Sequence, residues 1–138
     1  QDFALTFISY VGSAINKQAL LEAGLPEKNF FIAYDDSEHS YRLSKLGAIR
    51  CIPDVHIYHD TIITETDSCS WKKYYNMRNK LFAYYKHFGL FQASFIALYY
   101  MVKNFRNPIL RKMTTAAIRD AYNGNLGLHY KYRPGWKG

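Results

Sequence analysis

The chain has 138 residues, 49% hydrophobic and 17% aromatic, with a formal net charge of +7. That length fits one domain, so much apolar material excludes a disordered chain, and two cysteines, Cys51 and Cys69, exclude a disulfide framework and point to free thiols in a reducing compartment. The charge is split: residues 1–70 hold five Lys or Arg against ten Asp or Glu, whereas residues 71–138 hold thirteen against one. Such a division suits an acidic chemical half followed by a half that meets phosphates or another anionic surface. Gln1-Asp2 offers neither an initiator Met nor a basic flank, so a signal peptide is not expected and the start reads as a cut in a longer chain.

Phe3 to Val11 is apolar and β-prone, Gly12-Ser13 breaks it, and a helix is expected from Ala14 to Ala23, ending at Gly24. After a loop over residues 24–28, Phe30-Phe31-Ile32-Ala33-Tyr34 is too short for a helix, and its aromatic content predicts a strand or extended segment. This run empties into Asp35-Asp36. Asp36 and Ser37 occupy N-cap positions for a helix from Ser37 to Leu46, which Gly47 stops, and Glu38 and Arg42 stand at ion-pair spacing on it. Carboxylates at the positive end of a helix are favoured as anions, and so placed they can act as a base or a metal ligand. The plainer alternative is an ordinary capping box. Beyond the turn Pro53-Asp54, the alternation of Val55-His56-Ile57-Tyr58-His59-Asp60 predicts a second short strand with His59 at its end.

Thr61 to Ser70 is polar and acidic and reads as a surface loop. From Trp71 to Phe88 the aromatic positions fall on one broad helical face that also contains Arg78. A guanidinium among aromatics is a stacked structural cation in one reading and, with Asn79, a diphosphate contact in the other. Leu90 to Val102 is almost wholly apolar, too short to span a bilayer, and flanked by Lys86, Lys103 and Arg106. Core packing and an interfacial helix both fit it. Asn107-Pro108 opens a helix expected from about Ile109 to Tyr122, and the basic, aromatic tail from Gly127 to Gly138 is expected to lie on lipid head groups or to be disordered.

Taken in order, Gly12-Ser13, Gly24-Leu25-Pro26 before Phe30-Phe31-Ile32, Tyr34-Asp35-Asp36, Glu38, Arg42, Gly47, Pro53 and His59 resemble the family-2 glycosyltransferases, particularly bacterial galactofuranosyl- and rhamnosyltransferase-like members. The resemblance implies an α/β fold. Residues 1–88 would be the acceptor-side C-terminal part of a GT-A (Rossmann-like) catalytic domain, and residues 89–138 a basic helical extension. It further implies inverting transfer of a sugar from a nucleotide-diphosphate donor to a glycan or lipid-linked acceptor, for cell-surface polysaccharide, on the cytoplasmic side of the cell membrane. The membrane surface would be a partner and nucleic acid would not. In that family the second acid of the pair is the base, which maps to Asp36, with Asp35 beside it. Because neighbours on an extended segment point to opposite sides, only one of them is expected to face the acceptor. Tyr34, Glu38, Arg78 and Asn79 would contact substrate, and His59 would bind a divalent ion, Mn2+ or Mg2+, at the diphosphate. The family's Asp-x-Asp motif, which supplies further metal ligands, does not occur in this sequence. The donor-binding half is therefore expected elsewhere, and the chain alone is expected to lack turnover.

Two other classes fit parts of the sequence. His59-Asp60, with His39, His56, His87 and His129, could belong to a metal phosphohydrolase, but such sites are helical and a strand-like His56 to His59 argues against one. A non-enzymatic basic helical module that binds membrane or nucleic acid would leave the acids as caps only.

Overall fold

Helix signals dominate the folded chain. The computed structural model describes residues 3–5, 7–60 and 70–136. In chain order these form strand β1 (Phe3–Leu5), helix α1 (Lys17–Ala23), a 3-10 turn (Lys28–Phe30), α2 (Asp35–Ser44), β2 (Ile49–Cys51), α3 (Lys72–Phe88), α4 (Leu90–Asn104) and α5 (Pro108–Tyr122). The α/β expectation is therefore corrected. Among the described residues the structure is mostly helical, and its strands are one antiparallel pair of three residues each, with Phe3 opposite Cys51 and Leu5 opposite Ile49. No parallel, Rossmann-like sheet is present among them. The chain divides into two units, Gln1–Glu27 with Asp35–Glu65, and Lys28–Tyr34 with Thr66–Gly138.

In the first unit, Asn16 caps α1 by accepting from the backbone N–H groups of Gln18 at 2.9 Å and Ala19 at 3.2 Å. Gly24, with φ 76°, closes the helix in a conformation that a side chain would strain. Of the strand expected from Phe3 to Val11, Phe3–Leu5 is regular and residues 7–11 are not. At Ile8 a side chain takes the place of a ladder partner: the Ser40 hydroxyl accepts from Ile8 N at 3.1 Å and donates to Ile8 O at 3.2 Å. The second expected strand, Val55 to His59, is irregular and exposed, and the strand lies earlier, at Ile49–Cys51. The loop expected at Thr61 to Ser70 falls outside the described residues except for Ser70.

In the second unit α3 packs on both α4 and α5. Its buried Tyr74, Tyr75, Met77 and Leu81 pack in two clusters with Ala97 of α4 and Met113, Ala117 and Ala121 of α5, and Ala93 of α4 is buried too. Alanines four apart lower the surface of α4 and α5 enough for the tyrosine rings of α3 to fill the space between helices. Residues 88 and 89, the expected domain boundary, are the break between α3 and α4, where Gly89 takes φ 86° inside this unit. Asn107 caps α5 through Ile109 N and Leu110 N at 3.0 and 3.1 Å, with Pro108 at the first turn as expected. The tail is tied into the core: the buried Tyr75 hydroxyl donates to Tyr132 O at 2.6 Å and accepts from His129 N at 3.0 Å, and Tyr132 is itself buried.

The segment from Phe30 to Tyr34 is not a strand. Phe31, Ala33 and Tyr34 have φ of 66°, 66° and 69°, a left-handed conformation that costs on the order of 1 kcal/mol or more per non-glycine residue. Asn79 holds it there, donating through Nδ2 to the carbonyls of Phe30 at 3.0 Å, Ile32 at 3.0 Å and Ala33 at 2.8 Å. Replacing Asn79 with Leu leaves these carbonyls without that donor. The change should lower unfolding free energy by about 2 kcal/mol or more in urea titration, at roughly 1–3 kcal/mol per buried unpaired group. Wild-type stability in that variant would mean that the strained segment is held by something else.

Candidate active site

The acids that the sequence singles out open α2. Asp35, Asp36 and Glu38 all lie in its first turn, so the pair is inside the helix rather than on an extended lead-in. This corrects the expectation that the two point to opposite sides. Successive helical residues are separated by about 100° rather than 180°, and both carboxylates can approach one side of the helix end. Asp36 is oriented by its neighbour: its Oδ1 accepts from Ser37 N at 2.7 Å and Ser37 Oγ at 3.3 Å. Both acids remain partly open to solvent.

Behind them the helix buries polar groups. Glu38 is only 1% exposed and receives the Arg42 guanidinium as a fork, Nε at 3.0 and 3.1 Å and Nη2 at 2.9 Å. The remaining guanidinium donors reach the carbonyls of Ala23 and, at 3.0 Å, Leu25. Arg42 thus places a cation at the C-terminal end of α1, where exposed carbonyls favour one. Glu38, a candidate substrate contact by sequence, is spent on this scaffold.

His39 completes the cluster. Its Nε2 bonds to Gly24 O at 2.8 Å and must be the protonated nitrogen, which leaves Nδ1 to accept the Tyr10 hydroxyl. Burial, the dominant cause, holds the His39 pKa below its ordinary 6.5, so the ring is neutral. Burial, followed by the nearby Asp35 carboxylate, pushes the Tyr10 phenol up to about 12. Tyr10 therefore stays a proton donor beside the acid pair. Neither Tyr10 nor the role of His39 was legible in the sequence, because their partnership spans 29 residues with no local pattern.

The other candidates lie apart from this cluster in kind. His59 stands in exposed irregular chain. Among the described residues no group of three His, Cys, Asp or Glu could hold a metal ion, so these residues alone do not fit the expected divalent cation. In the second unit Arg78 is 1% exposed, and its guanidinium donates to Gly127 O at 2.7 Å, Phe30 O at 3.2 Å and Asn79 Oδ1 at 3.0 Å. It also lies over the Tyr74 and Tyr75 rings, 5.4 and 4.9 Å from their centroids. Arg78 and Asn79 are both buried. Tyr34 is partly buried, and burial together with Tyr84 and Tyr100 raises its pKa to about 12.

A cleft of about 910 Å3 in the first unit, lined by residues including Phe7, Val11, Ile15, Leu46 and Ile57, does not include the acid pair in its wall. No protein-family model matches the chain, and neither curated proteins nor solved structures yield a match.

Burial of neutral His39, and of His129, whose pKa burial also lowers, fixes the sign of a pH effect. Above pH 6.5 neither folded nor unfolded rings bind a proton. Below it the unfolded chain takes up protons that the folded rings resist, so stability falls with pH until the folded rings titrate. Denaturant titrations at pH 7.5 and 5.5 should show this loss, and His39→Asn should shrink it.

Proposed function

We propose that the chain works in inverting glycosyl transfer, moving a sugar from a nucleotide-diphosphate donor to a hydroxyl of a glycan or lipid-linked acceptor at the cytoplasmic face of the cell membrane. The observation that carries the reading is the division of labour on α2. Glu38, His39 and Arg42 are consumed by internal bonds, whereas Asp35 and Asp36 remain partly exposed at the helix end beside the Tyr10 hydroxyl. An ordinary cap explains one acid; two partly exposed acids, one of them oriented by Ser37, next to a buried neutral histidine are more than a cap requires.

In this reading Asp36 is the base. Ser37 fixes its Oδ1, and Oδ2 takes the proton of the acceptor hydroxyl as that oxygen attacks the anomeric carbon. The bond from the anomeric carbon to the diphosphate oxygen breaks through an oxocarbenium-like state, and the diphosphate leaves with the bonding pair. Asp35 keeps the local field negative, which favours the developing positive charge on the sugar ring. A divalent cation, Mn2+ or Mg2+, would in this reading partner the diphosphate and stabilise its leaving charge, with His59 as a candidate ligand that would need others beside it. No step assigned to Asp36 depends on it.

The test uses the product of the complete reading frame with panels of nucleotide sugars and glycan acceptors. Asp36→Asn should lower turnover by about a hundredfold to ten-thousandfold while donor binding survives, as expected for a lost base. Should Asp35→Asn abolish turnover while Asp36→Asn leaves it near normal, the base is Asp35. If neither substitution matters, the pair is a helix cap and the proposal fails.

A further inference from the structure

We infer that α4 docks in the plane of a membrane that carries anionic lipid. The inference deepens the membrane position included in the glycosyl-transfer reading, but its argument uses only the second unit. The inward face of α4 carries Ala93, Ile96, Ala97, Tyr100 and Asn104, all buried or partly buried. The opposite face should therefore be polar in a helix that merely covers a core. It is not. Phe91, Phe95, Leu98, Val102 and Phe105 follow one another at helical spacing on that outer side and are 57–71% exposed. A continuous apolar stripe of this kind marks a site of association.

Charge selects the occupant. Lys103 lies over the Tyr99 ring and Arg111 over the Phe105 ring, at 5.5 and 5.8 Å from the centroids, so cations rim the stripe, with Arg106 and Lys112 exposed nearby. Among the described residues of this unit the one carboxylate is Asp120, which is buried and accepts from the Tyr74 hydroxyl at 2.7 Å. Among those described residues the surface therefore presents cations without competing acids. A second copy of the chain would oppose Lys103, Arg106 and Arg111 to their own equivalents. Nucleic acid would match the cations but leave Phe91, Phe95, Leu98 and Val102 unused. An anionic bilayer takes both: acyl chains receive the stripe and head groups the rim. With 15 residues, and a length of roughly 22 Å at 1.5 Å per residue, α4 lies along such a surface and does not cross it. No helix among the described residues is long and apolar enough to cross a membrane.

Co-sedimentation of the chain with vesicles of phosphatidylcholine alone, or with one quarter phosphatidylglycerol, tests the inference. The chain should pellet with the anionic vesicles, less with the neutral ones, and less as salt is raised. Phe95→Ser/Leu98→Ser should weaken partitioning more than tenfold, with circular dichroism unchanged because both side chains are exposed. Lys103→Gln/Arg111→Gln should weaken it by about tenfold or more on anionic vesicles only, since each basic residue near such a surface is worth about fivefold. A chain that stays in the supernatant, or a Phe95→Ser/Leu98→Ser variant that binds like wild type, overturns the inference. So does a concentration-dependent dimer that this variant abolishes, or binding to duplex DNA in preference to the vesicles. Asp36→Asn should bind vesicles normally, so loss of the catalytic reading and loss of the membrane reading show up in different measurements.

Discussion

A buried guanidinium is the constraint around which the second unit is built. Arg78 sits in the middle of α3 with almost no exposure, and a charge removed from water is tolerated only where polar groups surround it. Among the described residues those groups are the carbonyls of Phe30, Asn125 and Gly127, the Asn79 side chain and the faces of Tyr74 and Tyr75. Phe30 ends the 3-10 turn and Gly127 lies in irregular chain. The guanidinium thus ties residues 28–34 and the start of the tail to α3 through their backbone carbonyls. Asn79 extends the arrangement by one residue and accounts for the three left-handed residues after Phe30.

The same solution, polar burial with every group partnered, recurs beside α5. Burial alone would raise the Asp120 pKa, yet hydrogen bonds from Tyr74, Asn125 and Arg119 outweigh it and lower the pKa. His129, 3.6 Å from the same carboxylate, is held neutral chiefly by burial, so that contact is not an ion pair. Asn104 donates to Thr114 Oγ1 at 2.8 Å between α4 and α5. Such networks fix which residue faces which, more than they add stability, because a polar group displaced from its partner loses its bond and regains no water.

What was legible in the sequence divides along physical lines. Helices α3, α4 and α5 were readable because periodicity, the Asn107-Pro108 start and the Gly89 break are local signals, and each helix forms within a few residues of its expected bounds. The strands were not. Aromatic content suggested a strand at Phe30 to Tyr34 and alternation suggested one at Val55 to His59, but a strand exists only where a neighbour pairs with it, and no local pattern supplies the neighbour. The Phe30 segment instead finds its partner in an asparagine side chain 46 to 49 residues away. Both errors favoured an α/β fold. The acid pair was legible as a cluster, whereas its surroundings, Tyr10 on His39 and Ser40 on Ile8, are long-range meetings of ordinary residues.

The helical placement of Asp35 and Asp36 changes what the pair can do. On an extended segment one acid would be withdrawn by geometry, and the choice between them would be made by the backbone. At the head of α2, 100° apart, both lie within the arc that Glu38, His39, Ser40 and Leu43 bury further along the helix. Along the body of α2 that arc is filled by partners, whereas Asp35 and Asp36 at its start stay partly exposed. Two adjacent, partly exposed carboxylates, whose charge reaches a phenol that remains protonated, concentrate negative potential where the helix end already favours anions. The Ser37 bonds then distinguish the two, since they hold one Asp36 oxygen in place and leave its carboxylate less freedom to rotate. A base needs a lone pair held in one direction, and α2 supplies that restraint to Asp36 from the residue beside it.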